Sequence, residues 1–346
     1  MTKEQILEPD LPIIDPHHHL WDRPGGLPRE LASLDHGFTD ILRNIPRYLL
    51  DELLADVKGG HNIRATVYME CGSMYRAAGP DHVKPVGETE FVNGVAAMTA
   101  SGTYGAVRAC AGIVGHVDLT LGSKLVKEAL AAHIAAGNGR FRGIRQIGAF
   151  DRDPAVLGFL NARPGLYRDG KFREGFAVLR ELGLSFDAWL LEPQLPDLID
   201  LARAFPDTTI VLDHVGTPLG IGSYAGKLTE RFGIWRDAIR ALAKSENVYV
   251  KCGGLPMPFL GWKKRMAEPD PSSETLAQQW RPYIEACIEA FGAKRCMFES
   301  NFPVDRFGCD YISLWNAFKR IANDYSASEK TALFSGTAKN VYRIAL

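Results

Sequence analysis

Eight short runs rich in β-branched and aromatic residues recur along the chain, and segments with helical periodicity separate them. The runs are residues 11–15, 63–70, 106–114, 142–148, 184–190, 208–213, 247–252 and 295–300. The helical segments between them include 46–58, 124–137, 195–205 and 281–292. Parallel strands need crossover connections, and helices supply them, so this alternation predicts an α/β fold. Eight repeats favour a closed (β/α)8 TIM barrel over an open doubly wound sheet. An open dinucleotide-binding sheet would carry a Gly-rich turn after its first strand. The nearest candidate, the loop from Gly220 to Gly226, has the wrong spacing and follows the sixth run. The 346 residues would suffice for two domains, but one decorated barrel over 1–346 explains the pattern better. The surplus length then lies in long βα loops at 21–46, 71–87, 214–226 and 253–274, which in a barrel build the active face. Gly137, Gly183 and Gly292 stand at expected helix ends, and Ser326 with Glu329 forms a capping-box pattern near the C-terminus.

Charge and cysteine usage narrow the function. Lys+Arg number 40 against 41 Asp+Glu, for a net charge of -1, so the chain lacks the basic excess of a nucleic-acid binder. With 46% hydrophobic residues it is not a disordered chain. The uncharged stretch 91–107 is broken by Asn93, Gly94, Ser101, Gly102 and Gly105, so it reads as helix then turn and not as a membrane span. The N-terminal residues show no apolar signal-peptide core. Six cysteines form no C-x-x-C pair, which predicts reduced thiols and a cytoplasmic protein. The expected partner is a small-molecule substrate, with no nucleic acid and no membrane; self-association is left open.

Three segments carry chemistry. In Asp15-Pro-His17-His18-His19-Leu-Trp21-Asp22, alternation places His17 and His19 on one face at a strand end, with His18 turned away. Two imidazoles on one face can bind a divalent metal or polarise a carbonyl. A second strand runs into Asp213-His214-Val215-Gly216, adding His214 at a strand–loop junction. The third segment, Met297 to Arg306, places Glu299 and Asn301 on a shared face and Asp305 just past Pro303. Any of these three could hold or activate a water, and the plainer alternative for each carboxylate is a structural ion pair. Four further residues fall at strand ends and are expected to contact substrate: Glu70, Arg145, Trp189 and Lys251. Arg145 suits a substrate carboxylate or a developing oxyanion, Trp189 a ring or the core, and an interior Lys251 must be paired. His36, His61, His82, His116 and His133 read as structural.

These motifs resemble the amidohydrolase superfamily, within it the lactonase-type branch that includes L-fuconolactonase and 2-pyrone-4,6-dicarboxylate lactonase. The segment Asp15–Asp22 matches the branch's H-x-H motif, Phe141–Arg145 its fourth-strand arginine motif, and Ser185 through Gln194 to Gly216 its fifth-to-sixth-strand run. Val250–Leu255 matches the seventh strand and Gly336–Tyr342 the closing helix. The resemblance implies a barrel hydrolase acting on a cyclic ester of a sugar acid or an aromatic-degradation intermediate. It implies at most one divalent metal such as zinc, held by His17, His19 and His214, and no organic cofactor. One departure stands out. Where the branch reads Gly-Ser-Asp-Trp-Pro, with that Asp as general base, this chain reads Glu299-Ser300-Asn301-Phe302-Pro303. An amide cannot take a proton from water, so Glu299, Asp305 or Glu70 must replace it, or the chemistry differs. The rival readings are a metal-dependent decarboxylase or hydratase, an amidase or phosphotriesterase-like hydrolase, and a binding protein that has lost catalysis.

Overall fold

A computed structural model describes residues 4–261 and 269–345. Residues 262–268, inside the expected loop 253–274, lie outside the described part. Eight parallel strands form one sheet in sequential order: β1 Ile13–His18, β2 Ile63–Met69, β3 Arg108–Gly115, β4 Phe141–Arg145, β5 Ser185–Ala188, β6 Ile210–Leu212, β7 Val248–Lys251 and β8 Cys296–Met297. The expected α/β barrel is therefore the fold. Helices cross over between the strands: α1 Leu50–Val57, α2 Val86–Ala100, α3 Ser123–Ala136, α4 Gly170–Glu181, α5 Leu195–Ala204, α6 Leu228–Leu242 and α7 Ser273–Phe291. The helix α8 Tyr311–Ile321 follows β8. No helix among the described residues is long and apolar enough to cross a membrane.

Closure runs through the segment just past β8. The Asn301 amide donates to the His17 carbonyl at 2.9 Å, and the His19 amide to the Phe302 carbonyl at 2.8 Å. Asp15 adds a side-chain stitch, accepting from the Ser300 amide at 2.9 Å and the Tyr311 hydroxyl at 3.1 Å. The eighth run, expected as a strand over 295–300, is regular only at 296–297. Asn301 turns into the left-handed region (φ 53), which bends this segment across the mouth. The helix expected from 46 starts at Leu50, because Trp21–Asp22 and Arg47–Tyr48 form a small antiparallel ladder. Helix α7 begins earlier than the expected 281: Ser272 caps it by accepting from the Thr275 amide at 3.2 Å. The capping box at Ser326 and Glu329 is present.

Two apolar layers hold the barrel. Side chains such as Phe172, Phe186 and Trp235 fill the space between strands and helices. Inside, Ile14, Val67, Met69, Val114, Val211 and Met297 pack with Val341, Tyr342 and Ile344 of the C-terminal segment, which plugs the lower end. The polar residues lie above this plug.

Candidate active site

The side chains that β1, β6 and β8 direct inward meet above the apolar plug. His17 Nε2 stands 3.2 Å from His19 Nε2, and His19 Nε2 stands 3.2 Å from Asn301 Oδ1. His19 Nδ1 donates to the Met69 carbonyl at 2.9 Å, which leaves its Nε2 as a lone pair. Asn301 gives its amide N–H to Asp305 Oδ1 at 2.8 Å, so its own oxygen faces His19. His18 points the other way, within 2.8 Å of Thr66 Oγ1, as alternation requires.

Glu299 joins two imidazoles. Its Oε1 accepts from His214 Nδ1 at 2.7 Å and from the His214 amide at 3.2 Å. Its Oε2 lies 2.8 Å from His17 Nδ1. The ion pair with Arg145 or Lys251 that the sequence suggested for Glu299 is not formed. Arg145 instead pairs with Glu70, Nε to Oε1 at 2.7 Å, and approaches Asp213 at 3.6 Å. Lys251 bridges Asp187 at 2.7 Å and Asp213 at 3.0 Å, and reaches His17 Nδ1 at 3.2 Å. The Tyr342 hydroxyl, rising from the plug, donates to Asp187 at 2.5 Å.

The backbone that presents His214 is strained. His214 (φ 56), Val215 (φ 50) and Thr217 (φ 43) all sit in the left-handed region, which is uncommon for any non-glycine residue and an outlier for a β-branched one. Trp235 Nε1 pins the turn by donating to the Val215 carbonyl at 2.7 Å. Gly253 and Gly254, past β7, make room for it. A Cβ at Gly254 would stand 2.4 Å from His214 Cγ, and one at Gly253 2.4 Å from Glu299 Cγ.

Ionisation follows from this packing. Burial alone would favour neutral Glu299, yet His214 and His17 outweigh it and hold the carboxyl down at about 2. Burial likewise opposes charge on Asp213, and Lys251 and His17 overcome it, keeping Asp213 well below the usual range. Burial lowers His17, with Lys251 adding to it and Glu299 and Asp213 opposing it, and burial lowers His19 further, beside His17 and Arg145. Asp305 moves upward because it is buried.

Above the floor opens a cavity of about 140 Å³. Of the residues expected at the site, His19, Arg145, Trp189, His214 and Asn301 line it. His17 and Glu299 lie directly beneath, bonded to lining residues. Asp305 folds back onto Asn301, and Glu70 is taken up by Arg145. Lys251, expected to touch substrate, is fully buried below the floor, because only there can two carboxylates neutralise it. His36, His61, His82, His116 and His133 are absent from the lining. Sequence reasoning passed over Asp213, the charge hub under the floor, although it directly precedes His214. It also passed over the cavity wall of Trp21, Arg23, Phe38, Phe159 and Met257. These residues come from βα loops, whose positions no periodicity fixes.

The floor suits a cation. Two acceptors, His19 Nε2 and Asn301 Oδ1, face each other with no proton of their own to share. Asp187 Oδ2 and Asp305 Oδ2 are buried without hydrogen bonds among the described residues. Four carboxylates (Glu70, Asp187, Asp213 and Glu299) surround two cations, Arg145 and Lys251. Donor atoms of His17, His214 and Glu299 also lie within 4.8 Å of one another. At 2.7 Å, however, His214 and Glu299 are a hydrogen-bonded pair. A divalent ion therefore fits best at the Nε2 edges of His17 and His19 beside Asn301 Oδ1, with Glu299 behind the imidazoles as their orienting carboxylate.

Comparison with known proteins identifies the family. The amidohydrolase family model matches residues 14–344. Protein y4mH of Sinorhizobium fredii, whose function is uncharacterised, is 36% identical over 337 residues, covering 97% of this chain and 99% of that one. An L-fucono-1,5-lactonase of Burkholderia multivorans is 29% identical over 177 residues, 51% of this chain and 57% of its own. A crystal structure of an amidohydrolase from Burkholderia multivorans with bound zinc superposes with a TM-score of 0.70 at 26% identity, covering 96% of this chain and 99% of that one. With the family model spanning nearly every residue from β1 to the C-terminal plug, the chain belongs to the amidohydrolase family.

Proposed function

We propose that this amidohydrolase opens a lactone by attack of an activated water. The observation that carries the reading is the His214–Glu299 pair, 2.7 Å apart at the floor of a cavity that His214 lines. Glu299 accepts the Nδ1 proton, so His214 Nε2 carries a lone pair; a histidine oriented by a buried carboxylate is a general base. This pair takes over the role that Asn301 cannot perform. The relative named as an L-fucono-1,5-lactonase supports a cyclic ester as the substrate class.

His214 Nε2 takes a proton from water as the oxygen attacks the lactone carbonyl. Glu299 stabilises the resulting imidazolium. The Arg145 guanidinium, at the cavity wall, faces the negative charge that develops on the carbonyl oxygen. As the ring C–O bond breaks, His214 returns its proton to the departing alkoxide, and the hydroxy acid is released. His17, His19 and Asn301 would hold a divalent ion, with zinc favoured by nitrogen ligands and by the zinc-bound structural relative. Bound there, such an ion supplies Lewis-acid polarisation of the carbonyl and a lowered water pKa.

The test is a lactone panel followed by proton release at constant pH, with metal content measured on the same sample. Ring-opened acid formed with about one equivalent of divalent metal supports the proposal. Release of CO2 from carboxylated aromatics, with every lactone untouched, overturns it in favour of decarboxylation.

A further inference from the structure

Resting on the ion site of that reading, we infer that Asp305 is a positioning residue: it locks the Asn301 amide in the sense that turns its oxygen, and not its nitrogen, toward the ion.

An asparagine side chain has two ends of similar size and opposite hydrogen-bonding character, and only the oxygen can meet a cation. His19 alone would turn the Asn301 amide the other way. Its Nε2 carries a lone pair and stands 3.2 Å from Asn301 Oδ1, so an NH2 group there would complete a hydrogen bond. The observed sense instead sets two acceptors face to face, and another contact must hold it. Asp305 supplies that contact, because its Oδ1 accepts from Asn301 Nδ2 at 2.8 Å. A flipped amide would set its oxygen against Asp305 Oδ1, so one carboxyl fixes the sense of the whole group.

The lock is itself held in place. Asp305 is fully buried and sits in the short turn Val304–Phe307. Its amide donates to the Asn301 carbonyl at 3.1 Å, and its carbonyl accepts from the Gly308 and Cys309 amides at 3.0 and 3.2 Å. Gly308 packs so closely on the loop after β7 that an added Cβ would stand 2.7 Å from Pro256 Cβ. Asn301 is fixed from the other side, where its amide donates to the His17 carbonyl at 2.9 Å. Both side chains therefore hang from one braced turn, and the bond between them does not depend on a mobile loop. A carboxylate at 301 would need no such lock, since both of its ends are oxygens. The asparagine is what gives Asp305 its task.

The probe is Zn2+ titrated into the full-length chain, with affinity read by competition against a chelating dye and with the visible absorption of Co2+ reporting coordination. The variants are Asp305→Leu, Asp305→Asn and the double variant Asn301→Asp with Asp305→Leu. Circular dichroism checks folding, and Asp305→Ala, with less bulk, takes the place of leucine if leucine is not accommodated. Lactone opening is followed on the same samples. Asp305→Leu is expected to weaken Zn2+ binding by about 100-fold, and Asp305→Asn, which keeps an acceptor, by no more than about 10-fold. The double variant is expected to recover to within about 10-fold of wild type, because a carboxylate presents oxygen in either sense. The left-handed backbone at 301 accepts Asp as it does Asn. A merely structural Asp305 would give a loss that Asn301→Asp does not repair. The inference is overturned by a Zn2+ affinity in Asp305→Leu within about threefold of wild type, far short of the loss an orienting partner gives. A double variant no better than Asp305→Leu, or a wild type that binds no Zn2+, overturns it equally. If the Zn2+ pattern holds while no lactone opens, the hydrolytic reading fails and the lock stands. If lactones open and the Zn2+ pattern is absent, the hydrolytic reading stands and the lock fails.

Discussion

Replacing Gly254 by alanine isolates the feature that presents His214 to the cavity. Gly254 has φ +68, and an added Cβ would meet His214 Cγ at 2.4 Å and Nδ1 at 2.5 Å. An L-residue in this region costs about 1–2 kcal/mol. Overpacking a rigid ring adds about 1–3 kcal/mol, for a total of about 2–5 kcal/mol. For 346 residues at about 2.1 cal/mol/K each, the unfolding entropy is about 0.7 kcal/mol/K, so Tm falls by about 3–7 °C. To relieve the clash the imidazole must retreat by about 1 Å, which breaks the 2.7 Å bond to Glu299 and costs about 100-fold in turnover. Gly226 is the control: its φ is +76, but nothing lies within 4 Å of an added Cβ. Gly226→Ala therefore bears only the backbone cost, about 1–3 °C in Tm, with turnover unchanged. The assay is thermal melting beside steady-state turnover of the lactone that wild type opens fastest. Turnover in Gly254→Ala within about threefold of wild type, with a melting shift no larger than that of Gly226→Ala, would refute the reasoning.

Other perturbations reach different parts of the network. Glu299→Gln keeps the shape but removes the charge that stabilises an imidazolium at His214; turnover is expected to fall by about 100- to 10,000-fold, and metal content measured on the same sample shows whether His17 and His19 still bind. Tyr342→Phe removes the donor to Asp187, leaving a buried carboxylate less satisfied; a loss of about 1–3 kcal/mol should appear in chemical denaturation. Glu88, buried and then repelled by Glu70, has its carboxyl pushed up to about 7. The folded state thus binds a proton that the unfolded state has lost above about 4.5, so this group's stabilising contribution declines as pH rises from about 5 through 7. Melting curves of Glu88→Gln should show a weaker decline over that window than wild type, and parallel curves would contradict the assignment.

The barrel was legible because its signal is local and repeated. Each strand run pairs with the next, and α5, at 195–204, lies almost where periodicity placed it. His17 and His19 were placed for a similar reason: alternation along a strand decides which face a residue takes, whereas His214 was marked by its position where a strand runs into its loop. Glu299 was read as inward-facing, but its bond to His214 was not, because that contact joins β6 to β8 across 85 residues. Asp213 was hidden by its neighbour. Arg23, Phe38 and Phe159 were illegible because a loop's path depends on contacts such as the ladder from Trp21 to Tyr48. Lys251 was placed correctly on its strand but at the wrong depth, since a pattern of two gives the face and not the level.

The most direct test of the proposed chemistry is lactone opening in 18O-labelled water by wild type and His214→Asn, with circular dichroism and metal content recorded for both. The expected result is one 18O atom in the new carboxylate and a loss of about 100- to 10,000-fold in the variant with fold and metal retained. Undiminished turnover in His214→Asn, or product without the label, would contradict it.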